Sequence, residues 1–296
     1  MASRPGCPAK NFLDTIIRHI ASYRKRRGES GMNERSLEVQ RFMDYCFNER
    51  KYIEPPERDD SNIARVADVI NTYNPENIVK AGLGSGRLLA EMSKIGKSRI
   101  LVVEPSLPAI RGFIEKYGSD DGANNISFIA GDFNNFPIDY YAADMIVAVD
   151  NISFIESSSA IDEFRRALQF DGILYLSTPV LSEDDEEGAL DDYLRTFFPL
   201  HNEFYMDSEL KTVLELNEFS LIKSGTEIVR QHTAELSAFF DKLYENRAAE
   251  RDAFMESHYG ILSACYGLNE GVLDIPYYSG VFMRMKPDSA YEKGRP

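Results

Sequence analysis

The chain has no tryptophan, three cysteines and four histidines in 296 residues, and each scarcity narrows what it can be. Cys7, Cys46 and Cys265 lie far apart and form no C-x-x-C pair, which favours free thiols in a reducing compartment over a disulfide or a metal site, and a cytoplasmic location is expected. Positive charge is also short. Lys and Arg number 33 against 48 Asp and Glu, a formal charge of −15 that argues against broad attraction to nucleic-acid phosphate. No apolar run approaches the ~20 residues a membrane helix needs, and no secretory signal is expected at the N-terminus. What remains is ample apolar material, 43% of the residues, enough to bury a sizeable core.

The first 75 residues read as helical. Residues 11–27 carry Phe12, Ile16, Ile17, Ile20 and Tyr23 at helical spacing and end in Arg24-Lys25-Arg26-Arg27. Such a basic amphipathic segment suits a packed helix whose basic end complements its dipole, an organelle presequence or a helix lying on an anionic surface. A second helix is expected near 33–50. Glu54-Pro55-Pro56-Glu57 then interrupts, and a third helix is expected near 61–73.

From Asn77 to Pro179 short apolar runs alternate with amphipathic stretches. Strands are expected at 78–82, 99–104, 126–130, 145–149 and 173–176, with helices at 87–93, 107–117 and after Ser159, where Ser159 and Asp162 form a capping box. Near-continuous apolar strands separated by helices predict a parallel sheet covered on both faces. Beyond Pro179 the character changes. Glu183-Asp184-Asp185-Glu186-Glu187 is an acidic run read as a solvated loop. Helices are expected at 189–197, 207–216 and across 232–267, with strands at 219–229 and 277–285.

The informative stretch is Ile78-Val79-Lys80-Ala81-Gly82-Leu83-Gly84-Ser85-Gly86, an apolar run that breaks into three alternating glycines. A glycine turn entering a helix lets a ligand approach the backbone without interference from Cβ. The next two strands end in acids, Glu104 and Asp132, which would stand beside that ligand on the carboxyl edge of the sheet. The position of the third glycine of a G-x-G-x-x-G loop is Arg87, which weakens a dinucleotide reading, and Glu104 lies 18 residues after the last glycine.

Over residues 77–285 the chain resembles the class I S-adenosylmethionine-dependent methyltransferases. The resemblance rests on Gly82, Gly84 and Gly86; Glu104; Asp132 flanked by Phe133; Ala148-Val149-Asp150; and Leu168-Gln169-Phe170-Asp171-Gly172. It implies an α/β Rossmann-like fold with a seven-stranded, mostly parallel sheet whose last strand runs antiparallel between its neighbours. It also implies S-adenosylmethionine as cofactor, held by Gly82, Gly84, Ser85, Gly86, Glu104 on the ribose, Asp132 and Phe133 (or Ile129) at the adenine, and Val149. The family usually has an acid at the position of Lys80, near the ammonium of the methionine moiety. Either Lys80 pairs with the cofactor carboxylate, or another acid takes the vacant role, or cofactor binding is weakened. Asp150 is the best-placed ionisable group for receiving a substrate proton, and His201 and Tyr205 are lesser candidates. No metal is expected. The Asn-Pro-Pro-aromatic motif of many nucleic-acid and protein N-methyltransferases is absent at Asp150-Asn151-Ile152-Ser153-Phe154, which favours a small acceptor.

The expected organisation is a helical cap over 1–75 and a methyltransferase domain over 76–296, with lid segments near 181–217 and 230–270. The expected activity is methyl transfer to O, N or C of a small organic molecule. A non-catalytic cofactor-binding or partner-binding protein and an NAD(P)-dependent oxidoreductase are the rival readings, and a homodimer is left open.

Overall fold

The computed structural model describes residues 37–38, 40–42, 44, 56–120, 122–133, 136–152, 157–241, 244 and 247–286, the side chains of 56–58 and 157–158 excepted. The expected helix at 11–27 lies outside them, as do Cys7 and Cys46. Of the expected helix at 33–50, the described positions between 37 and 44 are helical.

Seven strands form one sheet in the order β3-β2-β1-β4-β5-β7-β6. They are β1 (Asn77–Ala81), β2 (Arg99–Val103), β3 (Ile126–Ile129), β4 (Ala143–Val149), β5 (Leu168–Pro179), β6 (Phe219–His232) and β7 (Val272–Arg284). The first five pair in parallel. β7 runs antiparallel between β5 and β6, as the resemblance implies.

The helices in chain order are α1 (Pro56–Tyr73), α2 (Arg87–Met92), α3 (Leu107–Tyr117), α4 (Ser157–Ala167), α5 (Ala189–Phe197), α6 (Asp207–Leu216), α7 (Thr233–Phe240) and α8 (Ala248–Tyr266). α1 starts five residues before the expected Ser61. Proline is disfavoured inside a helix but suits its first turn, where its missing N–H has no partner to lose. α4 starts at Ser157, so Ser159 lies within the first turn instead of capping it. β5 extends back to Leu168 because Asp171, at φ 64°, and Gly172 bend the chain without ending the ladder, and the register with β4 shifts there.

Burial follows the two faces of the sheet. One cluster holds Val79, Ile146, Leu174 and Phe282 with Phe164 of α4. The other holds Ile78, Val102, Met145 and Val281 with Val66, Val69 and Ile70 of α1 and Leu89 of α2. Tyr175 donates to Asn62 at 2.7 Å, both buried, pinning α1 to β5. A third cluster is formed by α5, α7, α8 and the first half of β7, and it is rich in aromatic rings.

Candidate functional site

The carboxyl ends of β1, β2, β3 and β4 come together, and with them most residues singled out from the sequence. Gly82, Gly84 and Gly86 all adopt left-handed φ, at 74°, 59° and 79°, which side chains with a Cβ resist. A Cβ on Gly84 would meet nothing within 4 Å, so that backbone stands open to a ligand. A Cβ on Gly86 would lie 2.8 Å from Phe113, so that glycine serves the packing of α3. Ser85 donates to Asp59 at 3.0 Å, tying the loop to the first turn of α1.

Glu104 is fully buried at the end of β2. One carboxylate oxygen accepts from the Leu83 amide at 2.7 Å and the other from the Ser106 amide at 2.8 Å. Each oxygen keeps a second lone pair. Burial pushes its pKa up to about 7, against the opposing pull of the two amides and of Lys80. Lys80 is itself buried, and its ammonium donates to the Gly82 carbonyl at 2.6 Å and more distantly to Leu83. The Gly82–Leu83 backbone is therefore gripped by a cation on its carbonyls and by an anion on its amide. Ser106 also bonds Asp44, which brings the helical segment around 37–44 over the end of β2. Phe42 of that segment packs against Phe198, Phe239 and Phe240 of the third cluster.

Asp132 is half-buried just past β3, and Phe133 is buried with its ring 3.4 Å from where a Cβ on Gly82 would stand. Val149 and Asp150 are half-buried at the end of β4. Asp150 has φ 54°, a strained value for a residue with a Cβ, and its amide bonds the Ser177 carbonyl at 2.9 Å. Backbone strain of this sort concentrates at functional sites.

Asn151 was not singled out as a ligand-binding residue by sequence reasoning. It is 5% exposed, its amide nitrogen donates to the Ala81 carbonyl at 2.9 Å, and its carbonyl oxygen is buried without a partner among the described residues. The donated bond fixes which end of the amide is oxygen. An unsatisfied buried acceptor beside Gly82 is costly unless something donates to it. The available signal was its position, a polar residue immediately past an apolar strand at the carboxyl edge.

His201 meets the ring of Phe204 in the third cluster, whereas Tyr205 packs against the sheet-face cluster that holds Phe133. His201 is buried against Asp191 at 2.6 Å, joining α5 to the segment before α6, and the Tyr205 carbonyl accepts from Leu181. The acidic run is partly structural. Asp185 is fully buried and accepts from the amides of Ala189 and Leu190 and from the Tyr266 hydroxyl, capping α5 and joining it to α8.

Sheet order, strand directions and the glycine turn after β1 together define the class I methyltransferase fold. Residues 78–172 match the model of the methyltransferase domain family, whose cofactor is S-adenosylmethionine. No curated protein matches the chain by sequence. Among solved structures, the YcgJ protein of Bacillus subtilis is 13% identical, with a TM-score of 0.65 over 77% of this chain and 100% of its own. Geranyl diphosphate C-methyltransferase of Streptomyces coelicolor, solved with S-adenosyl-L-homocysteine, is 13% identical, with a TM-score of 0.56 over 87% of this chain and 100% of its own. The [4+2]-cyclase SpnF is 15% identical, with a TM-score of 0.52 over 75% of this chain and 81% of its own. At these identities the likeness is one of fold.

Proposed function

We propose that the protein transfers the methyl group of S-adenosylmethionine to an O, N or C atom of a small organic acceptor. The observation that carries this reading is the open left-handed backbone at Gly84 beside the buried Glu104, with Asp132 and Asn151 on the same edge. Bound cofactor would supply an electrophilic methyl on a sulfonium that leaves as a neutral thioether, so alignment and exclusion of water are the protein's main tasks.

Each residue has a role suited to its chemistry. The free lone pairs of Glu104 accept from a ribose diol once the segment carrying Asp44 gives way. Asp132 accepts from the adenine amine. Gly82, Gly84, Ser85 and Gly86 allow close approach, while Phe133 and Val149 supply apolar walls. The unpaired oxygen of Asn151 accepts from the amino-acid ammonium, the role left vacant by Lys80. Lys80 acts through the loop, holding the Gly82 and Leu83 carbonyls and lowering the cost of ionising Glu104. Asp150 orients the acceptor or takes its proton. The helical segment at 37–44 and the clusters of α5, α7 and α8 act as cap and lid over an acceptor site dry enough for transfer.

The test is transfer of label from methyl-labelled S-adenosylmethionine into a metabolite extract, with Glu104→Ala as control. Labelled product that disappears in E104A supports the proposal. Stabilisation by NAD(P) with none by S-adenosylhomocysteine would overturn it. The seat of the Lys80 ammonium on the Gly82 carbonyl favours a second reading, a cofactor-binding protein without turnover. That reading predicts tight S-adenosylhomocysteine binding with no labelled product from any extract.

A further inference from the structure

β6 is an outer strand of the sheet, fourteen residues long, and positions 222–226 are all exposed. Among the described residues no strand pairs with its outer side. A long open edge invites strand addition unless it is blocked. A bulge between Leu221 and Lys223 breaks one end, but from Lys223 to His232 the ladder with β7 is regular.

We propose that this edge binds a second copy of the chain, β6 against β6 in antiparallel register centred on Gly225. In an antiparallel pair, facing residues are either both hydrogen-bonded or both not, so a two-fold register must be centred on a residue and not between two. Centring on Gly225 sets Lys223 opposite Glu227, both within the regular ladder. The neighbouring registers lose this match. Centred on Ser224, Lys223 faces Gly225. Centred on Thr226, Glu227 faces Gly225.

Charge continues the match on the face that α1 covers. Lys223 pairs with Asp68 and Glu227 pairs with Arg65 within one chain. In the dimer the order becomes Asp68, Lys223, then the partner's Glu227 and the partner's Arg65, alternating in sign. Opposite charges directly across a strand pair stabilise it and like charges oppose it. The contact uses the same patch on both copies, as a closed two-fold interface requires. A pairing of this length is smaller than a standard interface of about 1,600 Å², so the dimer should dissociate on dilution.

The experiment is sedimentation of the full chain over a concentration series, with Lys223→Glu, Glu227→Lys and the double reversal. Wild type should pass from monomer to dimer. Each single reversal should weaken association about tenfold or more, because two symmetry-related pairs turn repulsive, and the double reversal should restore it. Each reversal also sets a like charge beside Asp68 or Arg65 within its own chain, so melting curves are recorded alongside and association is compared only among variants that stay folded at the temperature of the run. Gly225→Cys gives a readout independent of those charges. A Cβ there meets nothing within 4 Å, and facing Cα atoms about 4.5–5.5 Å apart lie within disulfide reach. Under mild oxidation this variant should form a reducible covalent dimer, and wild type under the same oxidant should not. A wild type that stays monomeric throughout, a dimer indifferent to both single reversals, a double reversal that fails to recover, or an uncross-linked Gly225→Cys would each overturn the proposal.

Discussion

The two clusters against the sheet faces and the third cluster are built from different side chains. Around β1, β2 and β4 the buried residues are mostly aliphatic: Ile78, Val79, Ile100, Val102, Ile146 and Val147. In the third cluster they are largely rings: Phe197, Phe198, Phe204, Phe239, Phe240, Tyr193 and Tyr266, with Phe42 reaching in from the N-terminal segment. Branched aliphatics suit strands buried on both faces, where the pleat sets each position. Large rings fill the wider gaps between short helices that share no regular lattice. The edge that carries Gly84 and Glu104 thus rests on aliphatic packing in register with the strands, and the segments proposed to cover the acceptor rest on a core of contacts between chain-distant rings.

The largest expected effect is on the frame. Phe164→Ala should lower the stability of the whole molecule by about 3–5 kcal/mol, read as a shift in the denaturant midpoint with one cooperative transition. The matching variant in the third cluster, Phe240→Ala, should fall at the low end of that range. Its loss of hydrogen-exchange protection should be confined to α5, α7 and α8, leaving β1–β5 protected. Loss of protection spread equally over both regions would dissolve the contrast between them.

Glu104 gives the next effect. A carboxyl whose pKa is higher in the folded protein binds more protons there than in the unfolded chain, so its contribution favours the folded state at low pH. With the folded value at about 7, stability should decline as pH rises from the ordinary carboxylate range to about 7 and then level. The full change is on the order of 3 kcal/mol. Affinity for S-adenosylhomocysteine should rise over the same interval, because an ionised carboxylate is the stronger acceptor. Glu104→Gln should flatten both profiles. Thermal melts and titrations at matched pH decide it.

Asp185→Ala should cost about 2 kcal/mol by removing the cap of α5 and stranding the Tyr266 hydroxyl, with little change in cofactor affinity. The smallest effect belongs to Lys80→Met. Lys80 holds the Glu104 pKa down, so its loss should move the midpoint of the affinity–pH profile above 7, a shift that loop loosening alone would not produce.

The frame was legible because its signals are local. Alternating glycines, strand-end acids and turn residues place β1–β4 within a few positions, and the late helices at 189–197 and 207–216 fall where periodicity put them. What stayed hidden depends on distance in the chain. The bond from Ser106 to Asp44 and the seat of Phe42 among the rings of the third cluster join residues separated by 62 positions or more. Nothing periodic marks Asp185 as a buried cap within a run of acids, since its partner Tyr266 lies 81 residues away. The sense of Lys80 was equally out of reach. A lysine in a strand reads as misplaced until the loop carbonyls that receive it, and the carboxyl it offsets, are set in space.

The central claim is that adenosine lies along the carboxyl edge with its ribose on Glu104. Calorimetry of S-adenosylhomocysteine with the wild-type chain at pH 8 tests it most directly. Saturable binding is expected at one site per chain, weakened at least about tenfold in Glu104→Ala through loss of charge-assisted hydrogen bonds. A folded wild type that releases no heat and gains no thermal stability from the ligand would contradict it.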